Sequence, residues 1–332
     1  MRAKTAWASV VAISILGLVP SAVGASEPRE RVAVELDRTE HHDQVPDDPQ
    51  AFRPESTSGG SSAGSGYWML DVSGEVYAFG EAWDFGGLGA LNVPNCQEWV
   101  INILGYCEMA IDIEVAPPTQ DFSEGEGYWV LSTTGQVMPR GGNAPNHGNF
   151  ETWRNDPWMS MTSTADGRGL WGFSYQGCVE TLGNAPFHGD MCDVRLNAPV
   201  VGSAVTPSGG GYYMVAQDGG IFSFGDAQFY GSTGGMRLNQ PVTDIVVTPT
   251  GRGYWLVARD GGIFSFGDAQ FYGSMGAVRL NQPISGMVGS PTGRGYLMVA
   301  EDGGIFAFGD VPFHGSLGGS PPYWPVVSVT VR

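Results

Sequence analysis

A unit of 42 residues occurs twice in succession, and it constrains the fold more than any other feature of the chain. GYYMVAQDGGIFSFGDAQFYGSTGGMRLNQPVTDIVVTPTGR (211–252) and GYWLVARDGGIFSFGDAQFYGSMGAVRLNQPISGMVGSPTGR (253–294) align without a gap and agree at 30 of 42 positions. A third copy opens at Gly295 with GYLMVAEDGGIFAFGDVPFHGS. Upstream, Gly169 begins GLWGFSYQGCVETLGNAPFHG and Gly127 begins GYWVLSTTGQV, each another 42 residues back. Gly66 begins GYWMLDVSGEVYAFGEAWDFGG, 61 residues before Gly127, so an insertion separates the first two copies. A period of this size marks units that bury their apolar faces against their neighbours.

Within one copy, VTDIVVTP, GYWLVA, GIFSFG and AQFYGS are short runs rich in aromatic and β-branched residues, bounded by Gly, Pro, Asp or Asn. Phe264 and Phe266 alternate with smaller residues, the period of a strand. The Asp260-Gly261-Gly262 step is a tight-turn signal, because glycine tolerates positive φ. No window carries sustained helical periodicity. Four short strands in about 42 residues make a propeller blade, so the expected fold is all-β: a six-bladed β-propeller of four antiparallel strands per blade over residues 66–332.

The order strand–TPTGR–strand–DGG–strand–GD–strand resembles a WD-repeat blade, with Asp226, Asp268 and Asp310 near the place of that family's Trp-Asp. More closely, GYWLVARDGGIFSFGDAQFYGS is similar to a repeat of secreted actinobacterial β-propeller proteins. The resemblance is strong over 199–320 and weaker from 66. It implies the fold and export, and carries no catalytic residues with it.

The repeats begin on a GYW strand, whereas the chain closes on PVVSVTVR (325–332), which aligns with PVTDIVVTP. The first blade therefore lacks its innermost strand and the end of the chain has one to spare. Pairing Pro325–Arg332 with Gly66–Gly86 is expected to close the ring and remove edges that invite aggregation.

The region before the repeats is of other kinds. Arg2 and Lys4 precede an apolar run, Ala6–Val19, followed by small residues with Val23 and Ala25 at the −3 and −1 positions of a cleavage site. That is the pattern of a signal peptide over 1–25, too short to span a bilayer, and no later segment is a transmembrane candidate. Residues 26–65 are rich in charge, Pro, Ser and Gly and poor in aromatics, which predicts a disordered acidic arm. His41 and His42 lie in that arm without neighbouring ligand residues. A formal net charge of −18 leaves no basic stripe for nucleic acid.

Four cysteines in an exported chain read as two disulfides. Cys96 and Cys107 share the insertion, and Cys178 and Cys192 lie in two connections that alternating strands bring to one face, so these are the expected pairs. Zinc is the competing reading, without a CxxC pair or clustered histidines to support it. That same face is expected to hold the DGG turns and the GSTGGMRLNQP-type loops, where elaboration on a rigid scaffold usually carries function. On it recur Arg195, Arg237 and Arg279, then Asn197, Asn239 and Asn281, with Asp218, Asp260 and Asp302 in the turns. Two readings stand: equivalent polar pockets for a sugar or acidic group, or arginines paired with turn aspartates and asparagines capping their own loops. His147, His188 and His314 interchange with Tyr230 and Tyr272, which favours packing between blades, and Trp68, Trp129, Trp171 and Trp255 share one core position.

Asp112 and Asp244 break the repeat on innermost strands of opposite blades, where other copies carry Ser160, Gly202, Gly286 and Ser328. Near a central channel they form a candidate calcium site, or bond only to a neighbouring backbone. The expected function is a secreted, non-catalytic binding module or surface protein for glycans or cell-envelope components, its repeated sites gaining by multivalency. A secreted glycosidase-like hydrolase is the alternative, with Glu98, Glu108, Asp112, Glu114 and Glu180 of the irregular first three blades and the insertion available, though no spacing singles out an acid and a base. A structural scaffold is the third.

Overall fold

The structure, a computed structural model, describes residues 66–88, 108–117, 127–142, 144–151 and 156–331. These residues form eighteen strands and no helix, so none of them makes a helix long and apolar enough to cross a membrane. The strands assemble into six three-stranded antiparallel sheets in a propeller-like repeat. The first sheet joins β1 (Gly66–Asp71) and β2 (Val76–Gly80) to β18 (Val326–Val331). The second and third are β3 (Ala110–Ala116), β4 (Gly127–Ser132), β5 (Val137–Gly141) and β6 (Trp158–Ser163), β7 (Gly169–Ser174), β8 (Val179–Gly183). The fourth is β9 (Val200–Val205), β10 (Gly211–Ala216), β11 (Ile221–Gly225); the fifth is β12 (Val242–Val247), β13 (Gly253–Ala258), β14 (Ile263–Gly267). The sixth is β15 (Ile284–Gly289), β16 (Gly295–Ala300) and β17 (Ile305–Gly309).

The GYW run forms the middle strand of every sheet, and all six residues of each of these strands are buried. A strand covered on both faces by other sheets needs no polar alternation, which is why GYWLVA and GYLMVA are continuously apolar. Register repeats too: Gly253 faces Gly267 as Gly66 faces Gly80, Gly127 faces Gly141 and Gly211 faces Gly225. A Cβ at Gly253 would stand 2.4 Å from the Phe266 carbonyl oxygen, and Gly267 has φ 64°, so neither position accepts a side chain.

β18 pairs with β1 antiparallel, Tyr67 facing Val331 and Leu70 facing Ser328, as the phase of the repeats predicts. β3, β6, β9, β12, β15 and β18 each touch the next, and β18 touches β3.

The sheets have three strands where four were expected. AQFYGS and its counterparts join no ladder; their backbone groups bond instead to side chains of their own sheet and of the next. Tyr254 Oη donates to the Gly231 carbonyl at 2.6 Å and accepts from Tyr230 N at 3.1 Å. Tyr212 does the same with Gly189 and His188, Tyr296 with Gly273 and Tyr272, and Tyr67 with Gly315 and His314. The last of these links the two ends of the repeat region through the contact used at the internal junctions.

Trp68, Trp129, Trp171 and Trp255 are buried, and each indole N–H donates to a carbonyl of its own sheet's outer segment at 2.7–2.8 Å. His147 Nε2 lies 2.9 Å from the Gly167 carbonyl, where Tyr230 and Tyr272 donate to Gly251 and Gly293. Histidine and tyrosine thus serve one packing position between sheets. The GD aspartates tie the turns at the opposite end of the sheets: Asp226 accepts from Thr206 and Ser208, Asp268 from Thr248 and Thr250. In the third sheet the carboxylate has moved into the turn, as Asp166, and Asn184 donates to it from the strand end at 2.9 Å. Hydroxyl donors at this ring of turns hold the carboxyls of Asp166, Asp226 and Asp310 below the ordinary range.

Cys178 and Cys192 form a disulfide across 14 residues of sequence. It ties the loop leaving β8 to the turn before it, which Met191 N also reaches through the Gly177 carbonyl at 2.9 Å. Cys178→Ser should lower stability by about 2 kcal/mol, read as a lower urea midpoint with an equal or steeper slope, since the unbridged unfolded chain exposes more surface. An unshifted midpoint would mean that the loop is held without the bridge. Cys96 and Cys107 lie outside the described residues.

Candidate functional site

Two places gather the residues singled out above. The first is on the face of the long loops. Arg279 and Asn281 of the loop between β14 and β15 meet Asp302 of the turn between β16 and β17 in one cavity of about 310 Å3. Met275, Leu280, Ile305 and Phe306 supply its apolar wall, and Gln282 and Ser316 add polar groups. The turn shapes it: Asp302 Oδ1 accepts from Gly304 N at 2.9 Å, leaving Oδ2 with no hydrogen-bond partner among the described residues. Asp218 and Asp260 repeat that bond with Gly220 and Gly262. Arg195, Arg237 and Arg279 are exposed and make no ion pair among the described residues. Of the two readings, the pairing of each arginine with a turn aspartate is therefore absent. The ion pair seen on this face runs instead from Arg259 to Glu301 at 2.5 Å, between matching turns of adjacent sheets. Val194, Met236 and Val278 stand beside the three arginines with about half of their surface exposed.

The second place is the channel at the centre of the six sheets, a cavity of about 150 Å3 lined by all six innermost strands. Asp112 and Asp244 are both there, joined by Glu114. Asp112 Oδ1 accepts from Ile113 N (2.9 Å) and Ser328 Oγ (2.7 Å), and Oδ2 from Met161 N (2.8 Å) and Ser160 Oγ (3.3 Å). Four donors fill the roughly four acceptor sites of a carboxylate, so this group is committed to holding β3 against β6 and β18. Asp244 bridges its own Ile245 N (2.8 Å) and Met287 N of the next sheet (3.0 Å). Glu114 Oε1 accepts from Ser163 N and Ser163 Oγ. Burial pushes the carboxyls of Glu114 and Asp244 up to about 7, and the negative Asp112 nearby adds to both. Burial also raises Asp112, against the pull of its donors. Both aspartates accept from backbone N–H groups, Asp112 from two serine hydroxyls as well, and no three or more His, Cys, Asp or Glu side chains gather as a metal-binding group among the described residues.

The remaining carboxylates of the irregular sheets are dispersed. Glu108 accepts from Ser132 and Thr134, Glu180 Oε2 accepts from Glu151 N, and Glu98 lies outside the described residues. Sequence reasoning placed Glu114 only among acids for hydrolysis. Its alternation with Asp112 on an innermost strand was the signal that it faces the channel.

No protein-family model matches the chain, and no curated protein matches it.

Proposed function

We propose that the chain is an exported, closed six-bladed β-propeller that binds glycans or cell-envelope components without catalysis, through pockets repeated between adjacent blades. The cavity shared by Arg279, Asn281 and Asp302 carries this reading. It offers a planar guanidinium fork, an amide and a carboxylate oxygen against an apolar wall, the mixture that a sugar's hydroxyls and C–H face require. Arg237, Asn239 and Asp260, and Arg195, Asn197 and Asp218, stand at the same places of the repeat. The cycle of contacts among innermost strands supports the ring, each blade having three laddered strands and one irregular outer segment. The leader-like pattern at 1–25 and the Cys178–Cys192 bridge support export.

A glycan array probed with the full chain tests the proposal. Saturable binding is expected, weakened about tenfold by Arg279→Ala at unchanged melting temperature, since a hydrogen bond from a charged group is worth roughly 1.5–3 kcal/mol. Arg237→Ala should act likewise. An array on which no glycan binds, or variants that bind like the wild type, would overturn it.

A further inference from the structure

The loop after β17 departs from its three predecessors. Where they read Val-Arg-Leu-Asn-Ala-Pro, Met-Arg-Leu-Asn-Gln-Pro and Val-Arg-Leu-Asn-Gln-Pro, it reads Ser320-Pro321-Pro322-Tyr323-Trp324-Pro325, which puts Tyr323 at the place of Asn281 and Trp324 at that of Gln282. Tyr323 is 90% exposed, more than any other large apolar side chain described. Its ring stands at 90° to that of Trp324, with centroids 5.1 Å apart, and it makes no hydrogen bond among the described residues. The loop is stiffened by three prolines, and its end is anchored where Val72 N donates to the Pro325 carbonyl at 3.0 Å. The packing among the described residues does not account for an aromatic ring presented to solvent in this way. It lies on the same face as the arginine pockets, at the next junction in order.

We infer that Tyr323 and Trp324 form an aromatic station ending the row of pockets, and that the ligand is a neutral glycan chain long enough to occupy several stations. This rests on the preceding reading and adds a residue, a ligand class and a length to it. An exposed ring takes the C–H face of a sugar, while the pockets take its hydroxyl and amide groups. The cavity sets the Arg279 guanidinium against the Asp302 carboxylate, the equivalent positions carry the same two residue types, and the chain carries a formal net charge of −18. That combination repels polyanions at long range and does not reward them at contact. Repetition along consecutive sheets suits a ligand that is itself repetitive, whose affinity grows with each station reached.

Calorimetric titration of the full chain with N-acetylglucosamine and glucose oligomers of about two to six units, and with an oligogalacturonate, decides it. Affinity for the neutral series should rise by about tenfold or more from the shortest to the longest oligomer. Tyr323→Ala should remove about fivefold or more of the affinity for the longest oligomer and little for the shortest, while Tyr323→Phe retains it. A Tyr323→Ala variant that binds all lengths like the wild type would overturn the station and leave the pocket reading in place. Length-independent binding would remove the row, and tighter binding of the uronate series would overturn the ligand class. A wild type that binds none of these sugars would overturn this inference, while the preceding reading stands or falls on the glycan array.

Discussion

Removal of residues 325–332 is expected to abolish the soluble monomer. β18 supplies the innermost strand of the first sheet, and five residues of β1 lie in register with it, from Tyr67 with Val331 to Asp71 with Val326. Val326 is fully buried, and Val329 and Thr330 nearly so. The segment also holds its neighbours: Val326 N donates to the Glu301 carbonyl at 2.9 Å, and Ser328 Oγ to Asp112 at 2.7 Å. Without it β1 becomes an open, apolar edge in a sheet reduced to two strands, the arrangement that recruits other chains. Burying a valine side chain is worth about 1.5–3 kcal/mol, so the loss of this segment approaches the whole stability of an ordinary domain. Size-exclusion chromatography of the truncated chain should show aggregate in place of monomer. A second variant separates strand from sequence position: PVVSVTV moved ahead of Gly66 and joined by a TPTGR turn, as β12 is joined to β13, should restore the monomer. A stable, monodisperse truncation would show that β18 is dispensable.

The pairing of β18 with β1 was legible because the first sheet's missing strand and the spare one at the far end are complementary halves of a single period. The register of all six sheets was legible for the same reason, since one GYW run and one glycine-ended run recur in each. The fourth strand was misread because AQFYGS has strand-like composition, whereas its backbone is used crosswise by Tyr254 and its equivalents. Composition reports what a segment tolerates, and a partner in the next sheet decides what it does. The exchange of Asp226 for the Asp166–Asn184 pair was hidden because each residue looks ordinary alone and only their contact reveals the swap. At the candidate site, recurrence singled out Arg279, Asn281 and Asp302, which line one cavity, but did not tell pocket from salt bridge. That depends on side-chain direction, and the carboxylate that pairs with an arginine on this face is Glu301, with Arg259. Tyr323 is not marked by recurrence, because it stands where the repeat stops.

Acidification should stabilise the protein, contrary to the usual behaviour of a chain rich in carboxylates. The ordinary unfolded carboxyl values lie near 4, whereas burial in the channel raises Glu114 and Asp244 to about 7. A folded value above the unfolded one means that the folded state binds the proton more tightly. The stability each group contributes is then complete below about pH 4 and is lost as pH rises through 7. Burial shifts Glu75, Asp112, Asp156 and Glu180 in the same direction. The lowered groups Asp166, Asp226 and Asp310 act only at more acid pH, so they do not oppose the effect between pH 8 and 5. Allowing for water in the channel, the two carboxyls near 7 contribute on the order of 4 kcal/mol, and melting should rise by about 5 °C or more from pH 8 to pH 5. Glu114→Gln keeps an acceptor for Ser163 and deletes the charge, so it should melt above the wild type at pH 8 and level with it at pH 5. Asp244→Ser, which installs the residue found at this place in β6 and β18, should flatten the profile further. Wild-type melting that falls steadily from pH 8 to 5, or a Glu114→Gln variant with the wild-type profile, would show that the channel carboxylates are not protonated in that range. The irregular residues Glu114 and Asp244 would then be inter-sheet staples whose charge is fully compensated by the donors of β6 and β15.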